Sequence, residues 1–113
     1  MISITRGDTQ ILKFQRRNKD GIITTKANEM YFTIKENTNQ KKYLLQKKLD
    51  DGISFNNEDY YYRITINSTD TDDLSYGKYK YDIEVKDTNY VKTISIGDFI
   101  ITEEVTFVGN EVE

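Results

Sequence analysis

Apolar and polar residues alternate with a period of two along most of this chain. That pattern buries one face of a β-strand and leaves the other in water. The runs are rich in β-branched and aromatic residues, and Gly, Asn and Asp break them at short intervals. The spacing predicts an all-β sandwich or barrel, with no long helix. Strands are expected at Ile2–Thr5, Thr9–Arg17, Glu29–Glu36, Lys42–Lys48, Ile53–Phe55 and Tyr60–Asn67. Further strands are expected at Lys78–Lys86, Tyr90–Ile96 and Asp98–Thr106, with a short edge piece at Ile22–Thr25. Lys78–Lys86 alternates most cleanly: Tyr79, Tyr81, Ile83 and Val85 fall on one face and Lys78, Lys80, Asp82, Glu84 and Lys86 on the other. Asn18-Lys19-Asp20-Gly21, Asp50-Asp51-Gly52 and Asp87-Thr88-Asn89 read as turns. Thr69 or Asp70 is placed to cap one short helical turn that ends near Leu74, and Gly97 is expected to mark a bulge or bend. Residues 1–106 then form one domain and 107–113 a flexible tail.

One motif narrows the fold. Leu74-x-x-Gly77-x-Tyr79-x-Tyr81 follows a polar turn and opens the best strand. Immunoglobulin-like domains carry a Tyr at that corner, where its hydroxyl bonds back to the backbone a few residues upstream. Tyr79, with Leu74 and Gly77, is the candidate for such a tyrosine corner. The expected fold class is therefore all-β: an immunoglobulin-like antiparallel β-sandwich of about seven to nine strands.

Composition mainly removes chemistry. There is no Cys, so there is no disulfide or thiolate metal site, and there are no His residues to act as general base or metal ligand. The chain carries 16 Lys and Arg against 19 Asp and Glu, a net charge of −3, with the signs mixed. No basic stripe points to nucleic acid. No apolar run is long enough to cross a membrane, and the opening residues lack a signal-peptide pattern. The chain is therefore expected to be made in a cytoplasm as a whole small product. Heavy use of Ile, Lys, Asn, Asp and Tyr, which have AT-rich codons, fits a low-GC genome.

Candidate sites are few. Arg6-Gly7-Asp8 spells an adhesion tripeptide, but a turn between two strands accounts for it. Asp70, Asp72 and Asp73, or Asp50, Asp51, Glu58 and Asp59, are clusters of oxygen ligands without the spacing of a calcium loop. No nucleophile and base are paired, so neither catalysis nor a metal nor another cofactor is expected. Outward rings at Tyr31, Tyr61, Tyr76 and Tyr90 are the candidate interface, for protein or for sugar.

Several stretches together resemble a known family. They are Ile4-Thr5-Arg6-Gly7-Asp8-Thr9, Asp20-Gly21, Tyr31-Phe32-Thr33-Ile34-Lys35, Ile64-Thr65-Ile66 through Asp70-Thr71-Asp72-Asp73-Leu74, Tyr76-Gly77-Lys78-Tyr79-Lys80-Tyr81-Asp82-Ile83, and Gly97-Asp98-Phe99-Ile100-Ile101-Thr102-Glu103-Glu104-Val105-Thr106. The chain is similar in outline to small immunoglobulin-like structural proteins of phages and prophages of low-GC Gram-positive bacteria, including the N-terminal domain of some baseplate proteins. The segment Asp50–Asp59 and the absence of Pro depart from that pattern. The resemblance implies a non-enzymatic virion component in the baseplate, tail, neck or capsid decoration. It would dock on other phage structural proteins, with a homo-oligomer as one form, and without nucleic acid or membrane. Two alternatives stand beside it: a carbohydrate-binding or cell-surface adhesion module, and a bacterial interaction domain of unknown partner.

Overall fold

Where alternation meets a partner strand, it becomes a ladder. The computed structural model describes residues 1–37, 39 and 41–103. The expected strand end at 104–106 and the expected tail at 107–113 lie outside the described residues. The chain runs β1 (Ile2–Thr5), β2 (Gln10–Gln15), β3 (Arg17–Asn18), β4 (Gly21–Ile22), β5 (Glu29–Lys35), β6 (Leu45–Leu49), β7 (Gly52–Phe55), β8 (Tyr61–Ile66), α1 (Ser68–Thr71), β9 (Gly77–Asp87) and β10 (Tyr90–Thr102). The fold is all-β, as the alternation requires.

Eight strands are ordered β1-β10-β9-β5-β6-β7-β8-β2, and β3 pairs separately with β4. The sheet folds over at β6–β7, where only Lys48 with Gly52 and Leu49 with Ile53 are in register. One layer is thus β1-β10-β9-β5-β6 and the other β7-β8-β2. These are the G-F-C and B-E-D groupings of an immunoglobulin-like sandwich, with β6 added beside C. The expectation of a purely antiparallel sheet is corrected at two places. β1 runs parallel to β10, from Ile2 opposite Phe99 to Thr5 opposite Thr102, and β6 runs parallel to β7. In both, the chain changes layers at a tight bend instead of turning back within one sheet. The second bend uses left-handed backbone at Asp50 (φ 67°) and Gly52 (φ 102°).

The core lies between the layers. Phe32, Ile34, Tyr62, Ile64, Ile66, Val85 and Phe99 are fully buried. They occupy alternate positions on β5, β8, β9 and β10, as period two demands. Phe32 meets Tyr81 and Phe99 at ring-centroid distances of 5.8 and 6.2 Å, and Tyr62 lies between Phe14 and Phe55 at 5.4 and 4.7 Å.

Other details differ from the pattern-based expectation. β8 starts at Tyr61, because Tyr60 takes a left-handed φ of 63° and its N–H turns back to the Asn56 carbonyl at 2.7 Å. The expected strand at Lys42–Lys48 shortens at its start to Leu45, leaving Tyr43 and Leu44 exposed. Asn67, and not Thr69 or Asp70, is the helix cap; Asp70 sits inside the turn and its carboxylate accepts the Asn67 N–H at 2.7 Å. Gly97 is not a bulge: it stays in register opposite Tyr81, and the shift falls between Thr93 and Ser95. A Cβ on Gly97 would stand 3.2 Å from the Tyr81 ring, so the glycine makes room for that ring across the ladder.

Candidate functional site: the open edge between β2 and β10

The corner residues come together at one end of the sandwich. α1 and the loop after it carry the chain from β8 across to β9. The Tyr79 hydroxyl donates to the Ser75 carbonyl at 2.7 Å, four positions upstream. Leu74 packs partly buried against the core, and its N–H bonds to the Thr71 carbonyl at 3.0 Å. Gly77 has φ 143° with open space where a Cβ would stand, so its backbone conformation, and not crowding, favours glycine. Arg6-Gly7-Asp8 forms the turn at the same end. The Gly7 N–H donates to the Thr71 hydroxyl at 2.9 Å, and the Arg6 guanidinium lies 4.4 Å from the centre of the Tyr76 ring.

The four tyrosines expected to face outward do not form one patch, and Tyr90 turns toward the interior side of β10 instead. Tyr31 is on the outer face of β5, hydrogen-bonded to Glu29 and 5.4 Å from the Lys86 ammonium. The Glu29 carboxylate, first through that hydrogen bond, holds the Tyr31 phenol above its ordinary pKa. Tyr61 is on the outer face of β8 in the opposite layer, 4.4 Å from the Lys13 ammonium and 5.9 Å from the Arg63 guanidinium. Tyr76 lies at the corner end and Tyr90 at the far end, after the β9–β10 turn. The acidic clusters are likewise engaged by cations. Asp50 pairs with Lys26 at 3.0 Å, Asp59 with Arg63 at 2.8 Å and Asp70 with Lys47 at 2.8 Å. The hydrogen bond from Arg63 lowers the Asp59 pKa. Among the described residues no three acidic side chains converge as ligands for a metal ion.

A different feature emerges from the strand order. β2 pairs only with β8, and β10 pairs with β1 only over Phe99–Thr102. Among the described residues, the outer edge of β2 and the edge of β10 along Tyr90–Asp98 have no partner strand. In an immunoglobulin sandwich the first strand lies beside B, the place of β2 here. β1 lies beside β10 instead, so the two edges face each other across a gap.

The floor of the gap is apolar. It has a volume of about 910 Å³, and Leu12, Phe14, Ile64, Tyr81 and Ile83 line it. The residues of β10 that pair with the inward-facing Asp87, Val85 and Ile83 are Tyr90, Lys92 and Ser95. They point toward the gap, together with Ile94, the extra residue at the register shift. Tyr90 is 48% exposed, Ile94 37% and Ile11, at the rim, 57%, whereas Tyr62, Ile64 and Ile66 next door are at 0%. Leu12 and Phe14 face the core yet are only partly buried. Side chains oriented for an interior are left in water along one side of the sandwich.

The charged residues that line the gap are basic, although Arg16 is paired with Asp87 and the Lys13 ammonium lies over the Tyr61 ring. Lys13, Arg16, Arg17 and Lys92 line it, and among the described residues no Asp or Glu does. Arg16 anchors the upper end. It is buried, its Nε donates to the Tyr62 hydroxyl at 3.3 Å, its Nη2 to the Thr25 carbonyl at 2.9 Å and its Nη1 to Asp87 at 3.2 Å. Burial opposes the Arg16 charge, but Tyr62 and Asp87 outweigh it and raise the pKa above the ordinary value. Burial likewise works to raise the Asp87 pKa, and hydrogen bonds from Tyr90, the Asn28 N–H and Arg16 outweigh it and lower the pKa. The network joins Arg16, just past the end of β2, to Asp87 at the end of β9.

Of the residues at this site, the sequence singled out Tyr90 alone. Ile11, Arg16, Lys92 and Ile94 had no mark beyond ordinary strand patterning, since nothing local says which edge lacks a neighbour. No family model matches the chain, and no curated protein matches it either.

Proposed function

We propose that this chain is a non-enzymatic structural or adaptor module of a bacteriophage particle, acting through protein–protein contacts. The observation that carries the contact reading is the pair of strand edges over an apolar floor, between β2 and the first half of β10, that have no partner among the described residues. Such a gap takes an extended segment by main-chain pairing, with pockets for alternate side chains supplying selectivity. Natural sandwiches protect their edges because an open one recruits other chains. A long, partly apolar edge is therefore suited to assembly. The resemblance to phage structural proteins supplies the setting: a subunit made in the host cytoplasm, without nucleic acid or membrane, and joined to other virion proteins in the baseplate, tail, neck or capsid decoration.

The absence of His and Cys favours this over catalysis, and the dispersal of Tyr31, Tyr61, Tyr76 and Tyr90 weighs against a sugar platform. The test is quantitative mass spectrometry of particles purified from a strain that encodes the chain. A fixed copy ratio to the other structural proteins is expected. Complete absence from intact particles would overturn the phage reading.

A further inference from the structure

We propose that the gap between β2 and β10 receives residues 104–113 of a second copy of this chain, so that copies join head to tail by strand exchange. The proposal rests on the docking reading above and names its occupant. Three observations converge on that segment.

The first is sequence. Residues 104–113 read Glu-Val-Thr-Phe-Val-Gly-Asn-Glu-Val-Glu. Val105-Thr106-Phe107-Val108 is rich in β-branched and aromatic residues, with no Pro to interrupt pairing. With period two, Val105 and Phe107 share a face and suit the floor made by Leu12, Phe14 and Ile83.

The second is charge. Glu104, Glu111 and Glu113 are the only ionisable side chains of the segment. All but these three of the chain's 19 acids lie in residues 1–103, where they balance the 16 Lys and Arg. The net charge of −3 thus resides in the segment, and among the described residues the gap's lining carries Arg17 and Lys92 beside Lys13 and the Asp87-paired Arg16, with no acid. Complementary charge of this kind steers association and fixes register.

The third is reach. β10 ends at Thr102, beyond the stretch Phe99–Thr102 that β1 covers. The open edge begins at Asp98, about 13 Å back from Thr102 at about 3.3 Å per residue, and ten residues such as 104–113 span about 33 Å when fully extended, enough to line the edge from Asp98 to Tyr90. β1 already occupies the intervening edge of β10, over Phe99–Thr102. A copy's own segment would have to cross over β1 before it could enter the gap, which opens at Asp98. A neighbouring copy has no such limit. The contact uses different surfaces on the two partners, so it is heterologous and builds rings or filaments according to the rotation between copies.

The test uses the full chain and two variants, F107D in the segment and I94D in the gap. Ile94 is partly exposed and lies outside the buried core, and far-ultraviolet circular dichroism checks the fold of both variants. Sedimentation equilibrium up to about 1 mM should show concentration-dependent association of the unaltered chain. Each variant alone should associate at least tenfold more weakly. Mixed, they should form dimers that grow no further, because F107D keeps an intact gap and I94D an intact segment. A monomer at every concentration would overturn the inference and leave the adaptor reading standing, because that reading is tested by particle composition. Association that F107D leaves unchanged would also overturn it, since a contact between other surfaces ignores the segment.

Discussion

Tyr62→Phe isolates one oxygen in the middle of this structure. The Tyr62 ring is fully buried and packs between Phe14 and Phe55, contacts that Phe keeps. Its hydroxyl accepts the Ala27 N–H at 3.0 Å and the Arg16 Nε–H at 3.3 Å. Ala27 and Arg16 are themselves buried, so water cannot easily replace the lost acceptor. A buried donor left unpaired costs about 1–3 kcal/mol, and hydrogen bonds to charged groups are worth about 1.5–3 kcal/mol. Arg16 keeps Asp87 and Thr25, which limits its share. The expected loss is about 3 kcal/mol, a large part of the roughly 5–15 kcal/mol that holds a domain folded. Tyr79→Phe is the internal control. It also removes only a hydroxyl, but the partner is the carbonyl of Ser75, an exposed residue that water can reach. That change should cost about 1 kcal/mol. In urea, with a slope near 1.5 kcal/mol per molar, the midpoints should fall by about 2 M and about 0.7 M with the slope unchanged. Equal midpoints for the two variants would refute the reasoning, because Tyr62→Phe strands two buried donors and Tyr79→Phe only one exposed carbonyl.

Gly97→Ala should destabilise by about 1–2 kcal/mol, because the new methyl meets the Tyr81 ring at 3.2 Å. Combined with Tyr81→Leu, the loss in a denaturation series should be smaller than the sum of the single changes. Asp70→Ala removes both the acceptor for the Asn67 N–H, an exposed contact, and the largely buried partner of Lys47. Thermal melting should show a loss of about 1–3 kcal/mol, and Asp70→Asn a smaller one. Stability should fall in acid. Asp59, Asp87 and Asp98 have folded-state pKa values below the ordinary carboxylate value; Lys80 is the main cause for Asp98. Their contribution is therefore complete above about pH 4 and is lost as pH falls through the lower folded-state values. Urea midpoints measured from pH 6 to 2 should be flat and then drop, and the drop should lessen in Asp98→Asn.

The strands most legible in the sequence are those buried on one face and paired on both edges. The alternation of β9 reports Tyr79, Tyr81, Ile83 and Val85 correctly as interior, because β5 and β10 flank it and leave one arrangement possible. β10 was harder. Gly97 carries the local signature of a bulge, yet its role is set by the Tyr81 ring across the ladder. The shift at Ile94 has no local mark at all. Nor can alternation show that Tyr90, Lys92 and Ile94 face inward and stay wet, because exposure there depends on which strand β1 pairs with, far away in sequence. The tyrosines show the same limit. Their parity predicts an outward face, and only the folding of the sheet decides that Tyr31 and Tyr61 point from opposite layers.

Residue-resolved amide hydrogen exchange of the full chain, followed from dilute to concentrated solution, tests the open edge most directly. The amides of Tyr90–Ile96 on β10 and Gln10–Gln15 on β2 that point away from β9 and β8 should exchange quickly when dilute. They should gain protection as concentration rises, and F107D should abolish that gain. Association that leaves these edge amides unprotected would contradict the account and place the contact on another surface.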